Sequence, residues 1–279
     1  MCNNKVVCKE TNCFVPNEPK KQDACDLKEE IQKAVSQLEV GANEVLLASY
    51  AESSPKRKYD LENRLFYNIR LRAFSDIFQN FPKEVAFMAA QKPGDGKYIY
   101  KYEVVSEEKV KEKVKNYLKK ENLIAKWTDI PIGDTLPDKT DQYYAAIRNN
   151  SSEIKTPGSL TSKDPFGIKI ELTFPDSKKS IHPVSGMKHL LDGVICAFHG
   201  EDGEKTKEAV QKRFQKSGLK DEKIEKFFEA SKLNIFGNHN YLTKSNCWNP
   251  EDDRLQFAWI IVNSSEGKEY KMSGSIYKW

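Results

Sequence analysis

The residues with the clearest capacity for chemistry lie at 184–200, where the apolar pattern predicts a helix. Apolar residues recur at the spacing of one helical face: Met187, Leu190, Leu191, Val194, Ile195 and Phe198. Asp192 and His199 stand about two turns apart, and Cys196 lies one turn from Asp192. An aspartate beside a histidine can order an acid–base imidazole or hold a metal ion. Alternatively, both side chains border the core, and His199 interacts with the carbonyl end of the helix dipole.

A polar loop at 236–257 is the second candidate site. It leads directly into a strand of buried character, and loops placed by rigid strands often carry binding residues. Its candidate binding residues are Asn238, His239, Trp248 and Asn249. Three consecutive acids, Glu251, Asp252 and Asp253, could ligate a divalent cation through oxygen. The segment WNPEDD also fits a turn whose acids stay hydrated, so both interpretations remain open.

The third candidate is Asp60, with Glu62 and Asn63 beside it, at the start of a predicted helix. Over a short stretch this pattern resembles the metal-binding carboxylates of small phage-type Holliday-junction resolvases. The resemblance implies paired acids that activate water for phosphodiester cleavage. The same spacing is met by an ordinary helix N-cap at Asp60.

Complete catalytic motifs are absent from the sequence. It contains no GxxxxGK[ST] phosphate loop, no GxSxG nucleophile elbow and no HExxH zinc motif. The strand GIKIELTF lacks the ExK of restriction-type nucleases. We therefore predict no cofactor, with a divalent cation as the alternative.

Six cysteines are present, four of them near the N-terminus: Cys2, Cys8, Cys13 and Cys25. Their spacing differs from the CxxC pairs of zinc sites, and disulfides are rare in cytosolic proteins. We expect ordinary thiols on a mobile segment, with a metal knuckle as the alternative.

Composition narrows the class of protein. The 45 basic and 41 acidic residues, a net charge of +4, are interspersed, which is typical of a solvated surface rather than of one basic nucleic-acid-binding face. No apolar run approaches the roughly 20 residues that span a bilayer, and the polar start of the chain is not a secretory signal. We expect a cytoplasmic protein with no membrane association.

The order of predicted elements indicates an α+β protein of two β-α-β-β halves with mainly antiparallel sheets. We expect a flexible cysteine-containing arm at 1–25, an N-terminal half at 26–150, a linker at 151–165 and a C-terminal half at 166–279 with a helical insertion at 203–232. The shared order suggests a repeat of architecture, although helices packed on one face of two sheets would satisfy the layer rule without duplication.

Several boundaries follow from local signals. We predict a first helix capped by Asp26, a charged helix at 106–121 capped by Ser106, and hairpins across PGDG and SSEG. We also predict a strand at QYYAAIRN, after the proline-rich DIPIGDTLPDK.

Several segments together resemble a family of uncharacterised bacterial proteins. They are DLENRLFYNI, YYAAIR, DPFGIKIEL, HLLDGVICAFHG, NIFGNHNYL and WNPEDDRL. The resemblance implies a bacterial or phage origin and carries no activity with it.

Two functions follow from these observations. The first is an intracellular binding or assembly protein that acts through a protein partner or by self-association, with nucleic acid as a further ligand. The alternative is a metal-dependent hydrolase or nuclease that uses Asp60, Asp192 and His199, with the 251–253 acids as metal ligands. The alternative requires these carboxylates to converge within about 8 Å in the folded chain.

Overall fold

The computed structural model describes residues 6–53, 60–161, 163–201, 203–216, 220–242 and 247–279. Among these residues, no helix combines the length and the apolar character needed to cross a membrane.

One eight-stranded, mostly antiparallel sheet forms the centre of the molecule, in the order β1-β4-β2-β3-β9-β6-β10-β5. Its strands are β1 (Val6–Thr11), β2 (Glu44–Glu52), β3 (Lys83–Ala89), β4 (Tyr98–Ser106), β5 (Leu123–Gly133), β6 (Phe166–Pro175), β9 (Leu255–Ser265) and β10 (Tyr270–Lys278). The short strands β7 (Gly200–Glu201) and β8 (Asn238–His239) form a separate parallel pair. The predicted α+β class is confirmed.

The sheet consists of two four-stranded halves with the same strand order. These halves differ from the expected ranges 26–150 and 166–279, because β1 belongs to the first and β5 to the second. The first reads β1-β4-β2-β3 from its outer edge to the centre, and the second reads β5-β10-β6-β9. Each contains one parallel pair, β2 with β3 and β6 with β9. The halves meet where β3 pairs antiparallel with β9, from Lys83 opposite Val262 to Met88 opposite Phe257. The sheet therefore runs from one half into the other without a break.

Helices cover the sheet unequally. The helices are α1 (Gln22–Val35), α2 (Glu107–Val114), α3 (Thr140–Asn149), α4 (Met187–Ala197), α5 (Glu204–Lys216) and α6 (Asp221–Glu229). The large core lies on one face, under α1, α3 and α4, with α5 and α6 packed on α3. A smaller cluster on the other face lies under α2, around Val110, Val114 and Trp259.

The segment at 140–149 corrects a predicted strand. Tyr143, Tyr144 and Ile147 are consistent with a strand by composition, but they are buried on one side of the helix α3. Packing against α4 favours the helix over local strand propensity. The first residues of the proline-rich stretch before it, 129–133, form the end of β5.

Both predicted hairpins are wrong. The strands β3 and β4 are separated in the sheet by β2, and β9 and β10 are separated by β6. The turn residues mark the chain reversal correctly. They do not specify which strand lies next to which in the sheet. The place beside β3 is taken by its parallel neighbour β2, and the place beside β9 by its parallel neighbour β6.

The N-terminal region also differs from the expected arm. Val6–Thr11 pairs with β4 as an edge strand, and α1 begins at Gln22 rather than after Asp26. Cys8 is exposed and Cys13 and Cys25 are half-buried, all as free thiols; Cys2 lies outside the described residues. The Ser106 cap of α2 is confirmed, since its hydroxyl accepts from the Lys109 amide at 3.4 Å.

A close approach of α3 and α4 requires Gly193. A Cβ atom there would stand 2.6 Å from the Thr140 carbonyl oxygen and 2.8 Å from the Tyr143 Cβ. We expect Gly193→Ala to lower the free energy of unfolding by about 1–3 kcal/mol through overpacking, measured by urea denaturation. Gly94→Ala is the matched control, because a Cβ at Gly94 meets nothing within 4 Å. Equal stability of the two variants would contradict the helix contact.

Candidate functional site

Asp60 and Glu62 are placed by a tight helical turn after β2. Leu61, Leu65 and Phe66 anchor the turn in the core. The Asn63 side-chain amide donates to Asp60 Oδ2 at 2.6 Å and fixes that carboxylate. The turn over Asn63–Tyr67 is a π-helix, a form that often marks functional sites.

Lys188 and Asp192 come from the first two turns of α4. They are four residues apart, so they share one side of the helix, with Lys188 Nζ 3.5 Å from Asp192 Oδ1. The apolar face of α4 is buried as the sequence predicts, which directs this polar side towards the turn that carries Glu62.

Asp252 enters from the short 3₁₀ turn Asp252–Arg254, directly before β9. Arg254 is buried and holds this turn in place. Its Nη1 donates to the Thr161 carbonyl at 2.6 Å, and its Nη2 pairs with Glu251 at 2.9 Å. The acidic run is therefore an ordered segment at the entry of a central strand.

Three carboxylates converge at the junction of the two halves. Oxygen atoms of Asp60, Glu62 and Asp252 all lie within 4.8 Å of one another. Lys188 Nζ lies 3.4 Å from Glu62 Oε1 and 3.8 Å from Asp252 Oδ2. The cluster meets the distance that the hydrolase alternative requires.

Burial and mutual repulsion disfavour ionisation of this cluster. Burial, reinforced by Asp60 and Asp192, raises the pKa of Glu62 to about 7. Burial also raises the pKa of Asp192 to about 6. Burial and the charges of Glu62 and Asp60 raise the pKa of Asp252 to about 10. Near neutral pH the cluster therefore binds protons that another cation could replace.

Lys188 stays charged within the cluster. Burial alone lowers the pKa of its ammonium, but Glu62, Asp192 and Asp252 outweigh that effect and raise it. One ammonium neutralises only part of the charge of four nearby carboxylates.

One oxygen of the cluster has an unfilled hydrogen-bonding capacity. Glu62 is fully buried, and its Oε2 has no hydrogen-bond partner. Leaving a buried polar atom unpaired costs about 1–3 kcal/mol. An oxygen in that state is a ready ligand for a cation.

A cavity of about 440 Å³ lies beside the cluster. The described residues that line it are Asp60, Lys188, Asp192, His239, Trp248, Asn249, Pro250, Glu251, Asp252 and Asp253. Most of the sequence-predicted site residues therefore meet at one cavity, although they come from three distant stretches of the chain.

His199 does not reach this cavity wall. It is fully buried against Phe236, with the two ring centroids 5.2 Å apart, and its ring lies 4.9 Å from that of His239. Burial lowers the pKa of His199 to about 3, so the imidazole is neutral at ordinary pH. It packs behind His239 and, unlike Asp192, is not among the described residues that line the cavity.

The other predicted residues divide by role. Asn238 is exposed on β8 and does not line the cavity. Glu251 pairs with Arg254 and His239 and so positions His239 beside the cavity. Asp252 instead joins the carboxylate cluster.

Sequence reasoning missed Lys188 as a site residue. Its position four residues before Asp192 was the available signal, because that spacing places both on one side of a helix.

Comparisons of the chain with protein-family models, with curated proteins and with solved structures found no match. The resemblances to uncharacterised bacterial proteins and to phage-type resolvases therefore stay predictions.

Stability should depend on pH through Glu62. Its pKa of about 7 in the folded chain exceeds the ordinary value of 4.5, so the folded state binds more protons between these values. The free energy of unfolding therefore falls as pH rises through that window, and the contribution is lost above about pH 7. Glu62→Gln does not titrate and removes this slope.

We expect metal-free Glu62→Gln to gain on the order of 2 kcal/mol relative to the unsubstituted chain between pH 5 and pH 8. Urea denaturation in a chelating buffer at each pH measures the difference. A difference that stays constant with pH would refute the raised pKa.

Proposed function

We propose that this protein is a divalent-cation-dependent phosphodiester hydrolase, a nuclease, whose cation is held by Asp60, Glu62 and Asp252. The observation that carries the proposal is the convergence of these carboxylates within 4.8 Å, with a buried, unpartnered Glu62 oxygen among them. Among the described residues, packing alone does not account for that arrangement, because burying like charges together is unfavourable.

The donor set favours magnesium or manganese over zinc. All three candidate ligands offer carboxylate oxygen, which hard divalent cations prefer, whereas zinc sites use histidine and cysteine. A divalent cation would also reverse the repulsion that raises the pKa of Glu62 and Asp252.

The remaining residues fit a phosphodiester hydrolysis. A bound cation would supply Lewis-acid activation of phosphate and water. Asp192 lines the cavity with a pKa of about 6 and can accept the proton of the attacking water. The water oxygen forms the new bond to phosphorus, the ester P–O bond breaks, and the leaving oxygen takes up a proton from solvent water, while Asp192 later returns its proton to solvent. The Lys188 ammonium stabilises negative charge that accumulates on the phosphate.

The binding or assembly function stays a prediction. The convergence of the three carboxylates supports a hydrolytic reaction and gives no information about a partner. We therefore place the hydrolase before the binding or assembly function.

Metal binding and activity should depend on the same residues. We expect Mg²⁺ or Mn²⁺ to raise the melting temperature and to support cleavage of nucleic acid and of bis(p-nitrophenyl) phosphate. Glu62→Gln and Asp252→Asn should lose cleavage by on the order of 100-fold or more, and calorimetry should show weakened Mn²⁺ binding, because each removes a charged ligand.

Asp176→Asn is the matched control, since Asp176 is an exposed aspartate outside the cavity. The proposal fails if Mn²⁺ does not bind, or if the ligand variants cleave as fast as the control.

A further inference from the structure

One wall of the cavity is built by the segment that returns from α6 to β9. His239, Trp248, Asn249 and Pro250 belong to this segment, and they line the same 440 Å³ cavity as Asp60 and Asp252. They lie at the surface, half-buried or exposed, whereas Glu62 is fully buried behind Asp60 in the chain. A ligand in the cavity therefore meets this wall and two of the cation ligands together.

Trp248 is held rigidly in that wall. Its indole Nε1 donates to Asp141 Oδ1 at 2.8 Å, and Arg213 Nε binds the same oxygen at 2.6 Å. The Arg213 guanidinium lies 5.3 Å from the indole ring centre, and the Tyr144 ring centroid lies 4.9 Å away. The Tyr241 ring is stacked with the indole at 6.2 Å, so these neighbours fix the half-buried indole where it lines the cavity. A fixed ring lowers the entropic cost of contacting a planar group there.

His239 and Asn249 form the polar part of the wall. His239 Nε2 lies 2.9 Å from the Asn249 carbonyl oxygen, and its Nδ1 lies 3.5 Å from Glu251. Asn249 is exposed, and its side-chain amide lies 3.2 Å from His239 Nε2. The wall thus combines one fixed aromatic ring with hydrogen-bonding groups, the combination that proteins use to bind a nucleobase.

The dimensions of the cavity restrict what can enter. A volume of 440 Å³ lies within the range of small-molecule pockets, so it has room for one nucleotide and not for a duplex. A phosphate within a duplex can reach a buried carboxylate only if its nucleotide leaves the stack, which costs a few kcal/mol. A single strand avoids that cost.

We propose that the substrate is single-stranded nucleic acid, one nucleotide of which enters the cavity. Trp248 contacts the base, and His239 and Asn249 contact its polar edge, while the adjoining phosphate reaches a cation held by Asp60, Glu62 and Asp252. This assignment rests on the proposed phosphodiesterase function. Because Asp192, Glu251 and Asp253 also line the cavity and repel phosphate, the strand binds only with a divalent cation in place.

Binding without cleavage tests the assignment directly. Fluorescence anisotropy with Ca²⁺ in place of Mg²⁺ compares a labelled single strand, a blunt duplex and a four-way junction. We expect the single strand to bind at least tenfold more tightly than either base-paired ligand, and its binding to disappear in a chelator.

Substitutions in the wall separate recognition from cation binding. Trp248→Ala should weaken single-strand binding by about tenfold or more, as loss of one stacked base does, and Asn249→Ala should weaken it less. Mn²⁺ binding by the free protein should be unchanged in both. Trp248→Phe, which keeps a ring, should recover part of the affinity, and melting curves verify that each variant is folded. Lys119→Ala, on the exposed stretch after α2, is the control.

The outcomes are distinct. Equal or tighter binding of duplex or junction overturns the assignment, as does wild-type affinity in both Trp248→Ala and Asn249→Ala, or no binding of any ligand. Specific binding of the single strand without cleavage in Mg²⁺ or Mn²⁺ would instead overturn the proposed hydrolase and leave the ligand assignment standing.

Discussion

The burial of carboxylates around Lys188 is the constraint on which the site depends. Asp60, Glu62, Asp192 and Asp252 surround one ammonium, and burial with mutual repulsion raises the pKa of three of them. Like charges are brought together at a cost in stability. Such a cost is typical of positions where a bound cation provides the compensating positive charge.

The continuous sheet determines where that cluster forms. Antiparallel pairing of β3 with β9 joins the halves, so the turn that follows β2 and the helix α4 that follows β6 meet above the central strands. Glu62 comes from one half and Lys188 from the other, and their atoms lie 3.4 Å apart. Neither half holds the site alone. The segment before β9 then adds Asp252 and, further back, the wall around Trp248.

Elements with strong periodicity were predictable and the connections between strands were not. The alternation of β6 and the 3.6-residue period of α4 were recognised because a single buried face dictates each pattern. The helix α3 was missed because Tyr143, Tyr144 and Ile147 suit a strand equally well until α4 provides a surface for them. The hairpins failed because turn residues specify a reversal of the chain, and not which strand lies beside it.

The sequence by itself determined the α+β class and the separate polar stretches around Asp60, Asp192 and Asp252. Local patterns suffice for these features, since each depends on residues close together in the chain. Only the tertiary structure decided that these stretches share one cavity, that Lys188 belongs with them and that His199 does not. The physical reason is that the contacts cross from residue 62 to residue 188 and on to residue 252. Such contacts depend on strand pairing over the whole sheet, which no local pattern specifies.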